Sequence, residues 1–371
     1  MTLSLDITAR DGLARAATLT TERGPITTPC FMPVGTRGAV RTLSAADLED
    51  LGAQIVLGNT YHLMLKPGVD VIGPLGGLHG FTGWGGHLLT DSGGYQVFSL
   101  EPGGNVQMDD DGVTFRSTYD GGTHRLTPES VVDIQTTMAP DFQMVLDVCS
   151  ALPSSPAVLR LAVDRTADWA ARARTAFLAK ERPELSQLGI VQGGTDQALR
   201  VESAQRTVAI GFDGYAVGGL SVGERREEML ATLAATLPEL PDDRPRYLMG
   251  VGDPVGMVES IALGIDLFDC VLPTRFGRHG TILSSEGRYN LKRAENATAD
   301  TPLDPTCGCP VCARWSRAYL RHLLIVDEPT APRLMTLHNV WWTLRLIEEA
   351  RTAIEAGTLE GLRCRVAAAY G

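Results

Sequence analysis

Three aspartates stand at the ends of apolar segments: Asp91 after His-Leu-Leu-Thr, Asp147 after Phe-Gln-Met-Val-Leu, and Asp269 after Leu-Phe. Carboxylates gathered in one poorly solvated cleft repel one another, so at least one should hold its proton unusually well. Such a separation of pKa values makes an acid and a nucleophile from one residue type. One Asp in this position is most often a helix N-cap or a turn former; three, each closing an apolar run, point to a site. In Asp91-Ser-Gly-Gly-Tyr-Gln96 the glycine pair admits a ligand close to the backbone, and Tyr95 offers a stacking face. In Phe268-Asp-Cys-Val-Leu-Pro-Thr-Arg275-Phe-Gly-Arg278 two arginines follow the acidic end, where a guanidinium suits a phosphate.

A second kind of chemistry lies in Cys307-Gly-Cys309-Pro-Val-Cys312. C-x-C-x2-C brings three thiolates within reach of one ion, and a closed tetrahedral site needs a fourth ligand, for which His322 and His338 are the candidates. His338 is expected to open the last helical stretch. Four protein ligands leave no open position, so the ion is expected to be a structural Zn²⁺. The other cysteines, Cys30, Cys149, Cys270 and Cys364, read as free buried thiols.

The elements that must position these groups are eight short apolar runs, at 30–34, 54–59, 87–91, 142–147, 188–192, 215–218, 247–250 and 267–270, which read as strands buried on both faces. Helical patterns separate most of them, among them a capping box at Ser44-Ala-Ala-Asp47 and an N-cap pair at Thr127-Pro128. Further helices are expected at 155–180, 197–210, 224–236 and 254–263. This alternation predicts an α/β fold, a (β/α)8 TIM barrel, whose catalytic residues sit at the C-terminal strand ends. Those ends read Asn59, Asp91, Asp147, Gln192, Gly218-Gly219, Met249-Gly250 and Asp269. After the third strand an insertion carries a β-hairpin signal, Asp110-Asp111-Gly112 between Val106-Gln-Met and Val113-Thr-Phe-Arg. We expect a barrel core over 1–270 and a zinc-binding subdomain with C-terminal helices, 337–369 among them, over 271–371.

The chain has 371 residues, 33 Lys and Arg against 44 Asp and Glu, and a net charge of −11, with 44% hydrophobic and 21% charged residues. This is the composition of a folded protein with ample core rather than a disordered one. It argues against a protein that coats nucleic acid, but a local basic patch is compatible with it. No apolar run reaches the ~18 residues of a membrane helix, and no signal-peptide core follows Met1, so a cytoplasmic location is expected.

Taken together, Phe31-Met-Pro-Val-Gly-Thr36, Leu57-Gly-Asn-Thr-Tyr-His62, Asp91-Ser-Gly-Gly-Tyr-Gln96, Val191-Gln-Gly193, Gly214-Tyr-Ala-Val-Gly-Gly-Leu220, Arg246-Tyr-Leu-Met-Gly-Val-Gly252, Phe268-Asp-Cys-Val-Leu-Pro-Thr-Arg275 and the cysteine cluster resemble the bacterial tRNA-guanine transglycosylases over nearly the whole chain. The resemblance implies exchange of the wobble guanine of GUN-anticodon tRNAs for a 7-deazaguanine in queuosine biosynthesis. It places the nucleophile on Asp269 and the general acid/base on Asp91. Base recognition falls on Ser92, Asp147, Gln192, Gly219 and Leu220, with Tyr95 and Met249 sandwiching the base. The zinc ligands fall on Cys307, Cys309, Cys312 and His338, and a homodimer built on the zinc-subdomain edge is implied. Candidate tRNA contacts are Arg275, Arg278, Lys292, Arg293 and Arg314.

One departure bears on the substrate: Val148 stands where the bacterial pattern has Glu. Val34, Cys149 and Val222 suit a small base pocket, with Glu224 placed to balance an ammonium. The incoming base is therefore expected to be 7-aminomethyl-7-deazaguanine (preQ1), with queuine salvage as the runner-up and a DNA-modifying paralogue as a further alternative. A non-catalytic zinc-ribbon RNA binder would not need three strand-end carboxylates. A metal-dependent barrel hydrolase would need histidines at strand ends, and of the seven only His87 lies in an expected strand, at its start.

Overall fold

Eight parallel strands close into a barrel in chain order: Cys30–Gly35, Ile55–Gly58, His87–Thr90, Phe142–Met144, Ser186–Val191, Gly214–Val217, Arg246–Leu248 and Leu267–Cys270. The computed structural model describes residues 3–100 and 106–371. Closure comes from the eighth strand pairing with the first, Leu267 opposite Cys30 and Asp269 opposite Met32. Every strand residue is buried except Asp269, which is half-buried. Burial on both faces is why these strands read as continuous apolar runs rather than as alternating ones.

The helices begin where their caps dictate. Ser44 and Asp47 form the expected capping box before Ala45–Asp50, and Thr127 caps Pro128–Met138 with proline in its first turn. Pro156–Leu178, Gln197–Ile210, Arg226–Thr236 and Pro254–Ala262 follow their expected stretches closely. The insertion after the third strand holds the expected hairpin, Val106–Met108 and Val113–Arg116, turned around Asp109, whose Oδ1 accepts from the N–H groups of Asp111 and Gly112. A third strand not anticipated, Thr123–Leu126, completes an antiparallel sheet.

A second unanticipated sheet precedes the barrel: Ser4–Asp11, Ala14–Thr21 and Gly24–Thr28, all antiparallel. Buried Arg15 fastens it to the barrel floor, donating to both oxygens of buried Asp266 at 2.8 and 2.6 Å and to the carbonyl of Arg244 at 2.8 Å. Asp266 directly precedes the eighth strand and also accepts from the N–H of Arg246 at 2.7 Å, so this pair braces the N-terminal strand ends, away from the C-terminal ends that carry the three aspartates.

Beyond the barrel lie Leu272–His279, a two-stranded ribbon of Thr281–Ile282 and Tyr289–Asn290, and the helices Arg317–Ile325, Thr330–Ala356 and Leu359–Tyr370. The long helix bridges two cores. Leu334, Met335, Leu337 and Val340 pack with Cys309 and Val311, whereas Leu346, Ile347, Ala350 and Ile354 belong to the barrel core. His338 therefore lies inside a helix that starts at Thr330, not at a helix start; Pro332 in the first turn marks that start.

Candidate active site and metal centre

At the C-terminal ends of the strands lies a cavity of about 290 Å³. Asp91, Asp147 and Asp269 all line it, together with Ser92, Tyr95, Gln192, Gly219, Leu220 and Met249. Asp91 follows the third strand and is clamped: Asn59 Nδ2 donates to its Oδ2, and the N–H groups of Thr60 and Gly93 donate to its Oδ1 at 2.8 and 3.2 Å. Gly93 makes this turn at φ +80°, where a Cβ would lie 3.0 Å from the nitrogen of Tyr61. Burial outweighs those hydrogen bonds and raises the Asp91 carboxyl to about 6.

Asp147 lies on extended chain just past the fourth strand. Burial raises it to about 6 as well, opposed by a hydrogen bond from Gln192 Nε2 at 2.6 Å and reinforced by the charge of Asp91. Gly219 touches the same glutamine so closely that a Cβ there would sit 2.2 Å from Gln192 Oε1. Asp269 faces them within the eighth strand. Its Oδ1 is held by Tyr247 Oη at 2.6 Å and by the N–H of Gly250 at 2.7 Å. Burial raises its pKa, and both donors favour the ionised form. Among the described residues nothing donates to Oδ2, which leaves that oxygen available as a nucleophile. Burial and the neighbouring Asp269 charge hold the Tyr247 phenol well above its ordinary value, so it stays a donor.

The small-pocket residues Val34, Cys149 and Val222 all line the cavity. Burial pushes the Cys149 thiol up to about 12, so the wall it forms is neutral. Two expectations are corrected. Val148 is buried in an apolar cluster with Leu146, Ala162 and Trp169 and does not line the cavity, because alternation along the extended segment turns it outward. The Glu224 carboxylate accepts from the N–H groups of Ser221 and Val222 and is likewise absent from the cavity wall.

The ligand atoms of Cys307, Cys309, Cys312 and His338 lie within 4.8 Å of one another, a grouping that can hold a metal ion. His338 Nδ1 is 3.6, 3.4 and 3.3 Å from the three sulfurs, close to the roughly 3.5 Å S···N edge of a tetrahedron with metal–sulfur bonds of about 2.3 Å. Its Nε2 is 2.8 Å from the carbonyl of Leu283; a carbonyl only accepts, so that nitrogen carries the proton and Nδ1 turns its lone pair to the cluster. Hydrogen bonds from Cys307 and Cys312 hold the Cys309 thiol well below its ordinary value, while Cys307, as donor, is pushed up. His322 is on the helix Arg317–Ile325 and is not in the cluster.

A family model described as "Queuine tRNA-ribosyltransferase" matches residues 10–371. Relatives of that name include the protein of Solidesulfovibrio magneticus, 51% identical over 97% of this chain and 96% of its own. That of Desulfosudis oleivorans is 50% identical over 95% and 92%, and that of Zymomonas mobilis 47% over 95% and 92%. The chain belongs to the queuine tRNA-ribosyltransferase family. It is a tRNA-guanine transglycosylase, an enzyme of the pentosyl-transferring class.

In this transglycosylase Arg275 and Arg278 lie on the helix directly after the Asp269 strand. Burial and the nearby charges of Arg41 and Arg275 lower the Arg278 pKa, so these three arginines gather positive charge in one place. Close packing of Gly277 against Thr336 fixes this helix on the one that carries His338. Lys292 and Arg293 are exposed, their carbonyls accepting from Arg321 Nε, and Arg314 stacks on Trp315 at 5.3 Å. Of the four cysteines expected to be buried, Cys30 and Cys270 are, Cys149 is half-buried at the cavity, and Cys364 is exposed. The last is on the outer side of a helix whose buried positions are Leu359, Leu362 and Val366. Asn59 is legible in the sequence as a strand end but not as the clamp of Asp91, and the donors of Asp269, Tyr247 and Gly250, were not anticipated. Tyr247, a phenol inside a strand two residues before Met249, was the available signal.

Proposed function

We propose that the enzyme replaces the wobble guanine of GUN-anticodon tRNAs with preQ1 by double displacement. The observation that carries this reading is the pairing, in one cavity, of a carboxylate with one free oxygen, Asp269, and a clamped carboxyl raised to about 6, Asp91. The target guanine leaves the stack to enter the cavity. Asp269 Oδ2 attacks ribose C1′, the C1′–N9 bond breaks, and its electron pair departs with the guanine, which takes a proton from Asp91. The incoming base then gives its N9 proton to Asp91 and attacks C1′, displacing Asp269 with overall retention, as in retaining glycosidases. A carboxyl with a pKa near 6 is suited to both proton transfers.

Asp147 accepts from the N1–H and exocyclic amine of the base, Gln192 and the N–H of Gly219 serve its carbonyl, and Ser92 and Leu220 complete the rim. Tyr95 and Met249 stack on its faces. Val34, Cys149 and Val222 favour preQ1 over queuine, since they occupy the space that a larger substituent would need. Zinc fits the cluster, being the tetrahedral ion that takes three thiolates and an imidazole, and its role is to hold the fold. We assign 1–270 to the barrel and 271–371 to the zinc-bearing subdomain. Arg275, Arg278, Lys292, Arg293 and Arg314 contact tRNA. Tyr319, Ile325 and Val326, exposed on and just after the helix Arg317–Ile325 of the zinc-bearing part, form an edge on which a second copy would pack. No helix among the described residues is long and apolar enough to cross a membrane, consistent with a cytoplasmic enzyme. The test is incorporation of radiolabelled guanine into a GUN-anticodon tRNA. Exchange supports the reading; no exchange into tRNA, or exchange into duplex DNA instead, overturns it.

A further inference from the structure

Arg200 is fully buried on the helix Gln197–Ile210, and among the described residues no carboxylate forms an ion pair with it. Its guanidinium is spent on backbone carbonyls: Nε donates to Gly194 at 2.7 Å, Nη1 to Val191 at 3.0 Å and to Gly218 at 2.7 Å, and Nη2 to Gly219 at 3.2 Å. These carbonyls flank the two segments that carry the base-recognition groups, Gln192 on one and Gly219 with Leu220 on the other. In a trans peptide the N–H points opposite to the C=O. Drawing the carbonyls of Gly218 and Gly219 back onto Arg200 therefore turns the N–H groups of Gly219 and Leu220 the other way. From the opposite end Glu224 grips the N–H groups of Ser221 and Val222, so the recognition loop is held on both sides.

We propose that Arg200 is a positioning residue for base recognition: it sets the orientation of the Gly218–Gly219 and Gly219–Leu220 peptides and thereby the affinity for the incoming base. Burying a cation that forms no ion pair is costly, and the carboxylate whose charge acts on Arg200, that of Glu224, does so from beyond ion-pair distance. A planar fork reaching four carbonyls at fixed angles is something neither lysine nor an apolar residue supplies. The inference rests on the transglycosylase reading of the cavity.

The test compares Arg200→Lys and Arg200→Ala with wild type in guanine exchange, with tRNA binding followed by mobility shift and folding by circular dichroism. The expected result is a KM for free base raised about tenfold or more, from the loss of charge-assisted hydrogen bonds. The tRNA affinity stays within about twofold, since the phosphate contacts lie elsewhere. Methylguanidinium added to Arg200→Ala should lower the base KM again. Folded variants with an unchanged base KM overturn the assignment. So do variants that weaken base and tRNA alike without rescue, and so does the failure of both variants to fold, which makes Arg200 a structural brace. Failure of the wild type itself to exchange guanine would instead overturn the transglycosylase reading.

Discussion

Replacing Asp147 by Asn should stabilise the fold while disabling the enzyme. Burial raises this carboxyl from 3.8 to about 6. A raised folded pKa means that the protonated form is the one the fold tolerates, so stability is fully present below the unfolded value and is lost as pH rises through the folded one. At pH 8, where Asp147 is ionised in both states, the penalty is about 3 kcal/mol, at ~1.4 kcal/mol for each tenfold change in proton affinity. At pH 5, where the folded carboxyl is mostly protonated, the same linkage leaves roughly half of that. Asn is nearly isosteric and uncharged, and Gln192 can turn its amide to satisfy it. At roughly 2 cal/mol/K of unfolding entropy per residue, the melting temperature should rise about 4 °C at pH 8 and about 2 °C at pH 5. Exchange activity should fall about a hundredfold or more, because an amide nitrogen opposes a donor of the base where a carboxylate oxygen accepted one. Calorimetry on both proteins at the two pH values checks this. An equal gain at both, or a lower melting temperature at pH 8, refutes the reasoning.

Cys309→Ala should release about one equivalent of zinc by metal analysis and lower the melting temperature, since binding energy at such sites is folding energy. Unchanged metal content and melting would remove the structural assignment. Arg278→Ala should raise the KM for tRNA and reduce the slope of log K against log salt by about 1, leaving base affinity near wild type; an unchanged slope takes Arg278 out of the phosphate contacts. With one tRNA, kcat/KM should favour preQ1 over queuine by about tenfold or more, from the overpacking cost of a larger base against Val34, Cys149 and Val222. A queuine preference would show that the pocket opens where these residues close it.

The barrel was legible because its strands are buried on both faces, which writes an apolar run into the sequence at each of them. The N-terminal sheet was not. Ser4–Asp11 alternates Leu5, Ile7 and Ala9 with polar residues, the period-2 pattern of a strand with one exposed face, not the continuous apolar run that marks the barrel strands. Thr123–Leu126 escaped for the same reason, a short edge strand with only Leu126 buried. At the site, residue types at strand ends identified the carboxylates, but their partners are a matter of tertiary placement. Nothing in the sequence says that Tyr247 reaches Asp269, that Asn59 reaches Asp91, or that Arg200 gathers carbonyls from two loops. Val148 and Glu224 illustrate the converse: adjacency in sequence to site residues suggested pocket contacts that the alternation of side chains and the turn hydrogen bonds direct elsewhere.

The central claim is that Asp269 forms a covalent bond to ribose, and mass spectrometry of the enzyme–tRNA adduct tests it most directly. Wild-type enzyme mixed with a GUN-anticodon tRNA, without incoming base, is resolved on a denaturing gel, and the shifted band is digested and sequenced. We predict a shifted band in which the ribosyl group is carried by Asp269, and no band with Asp269→Asn although that variant still binds the tRNA. An adduct that persists in Asp269→Asn, or one mapped to Asp91 or Asp147, would contradict the account.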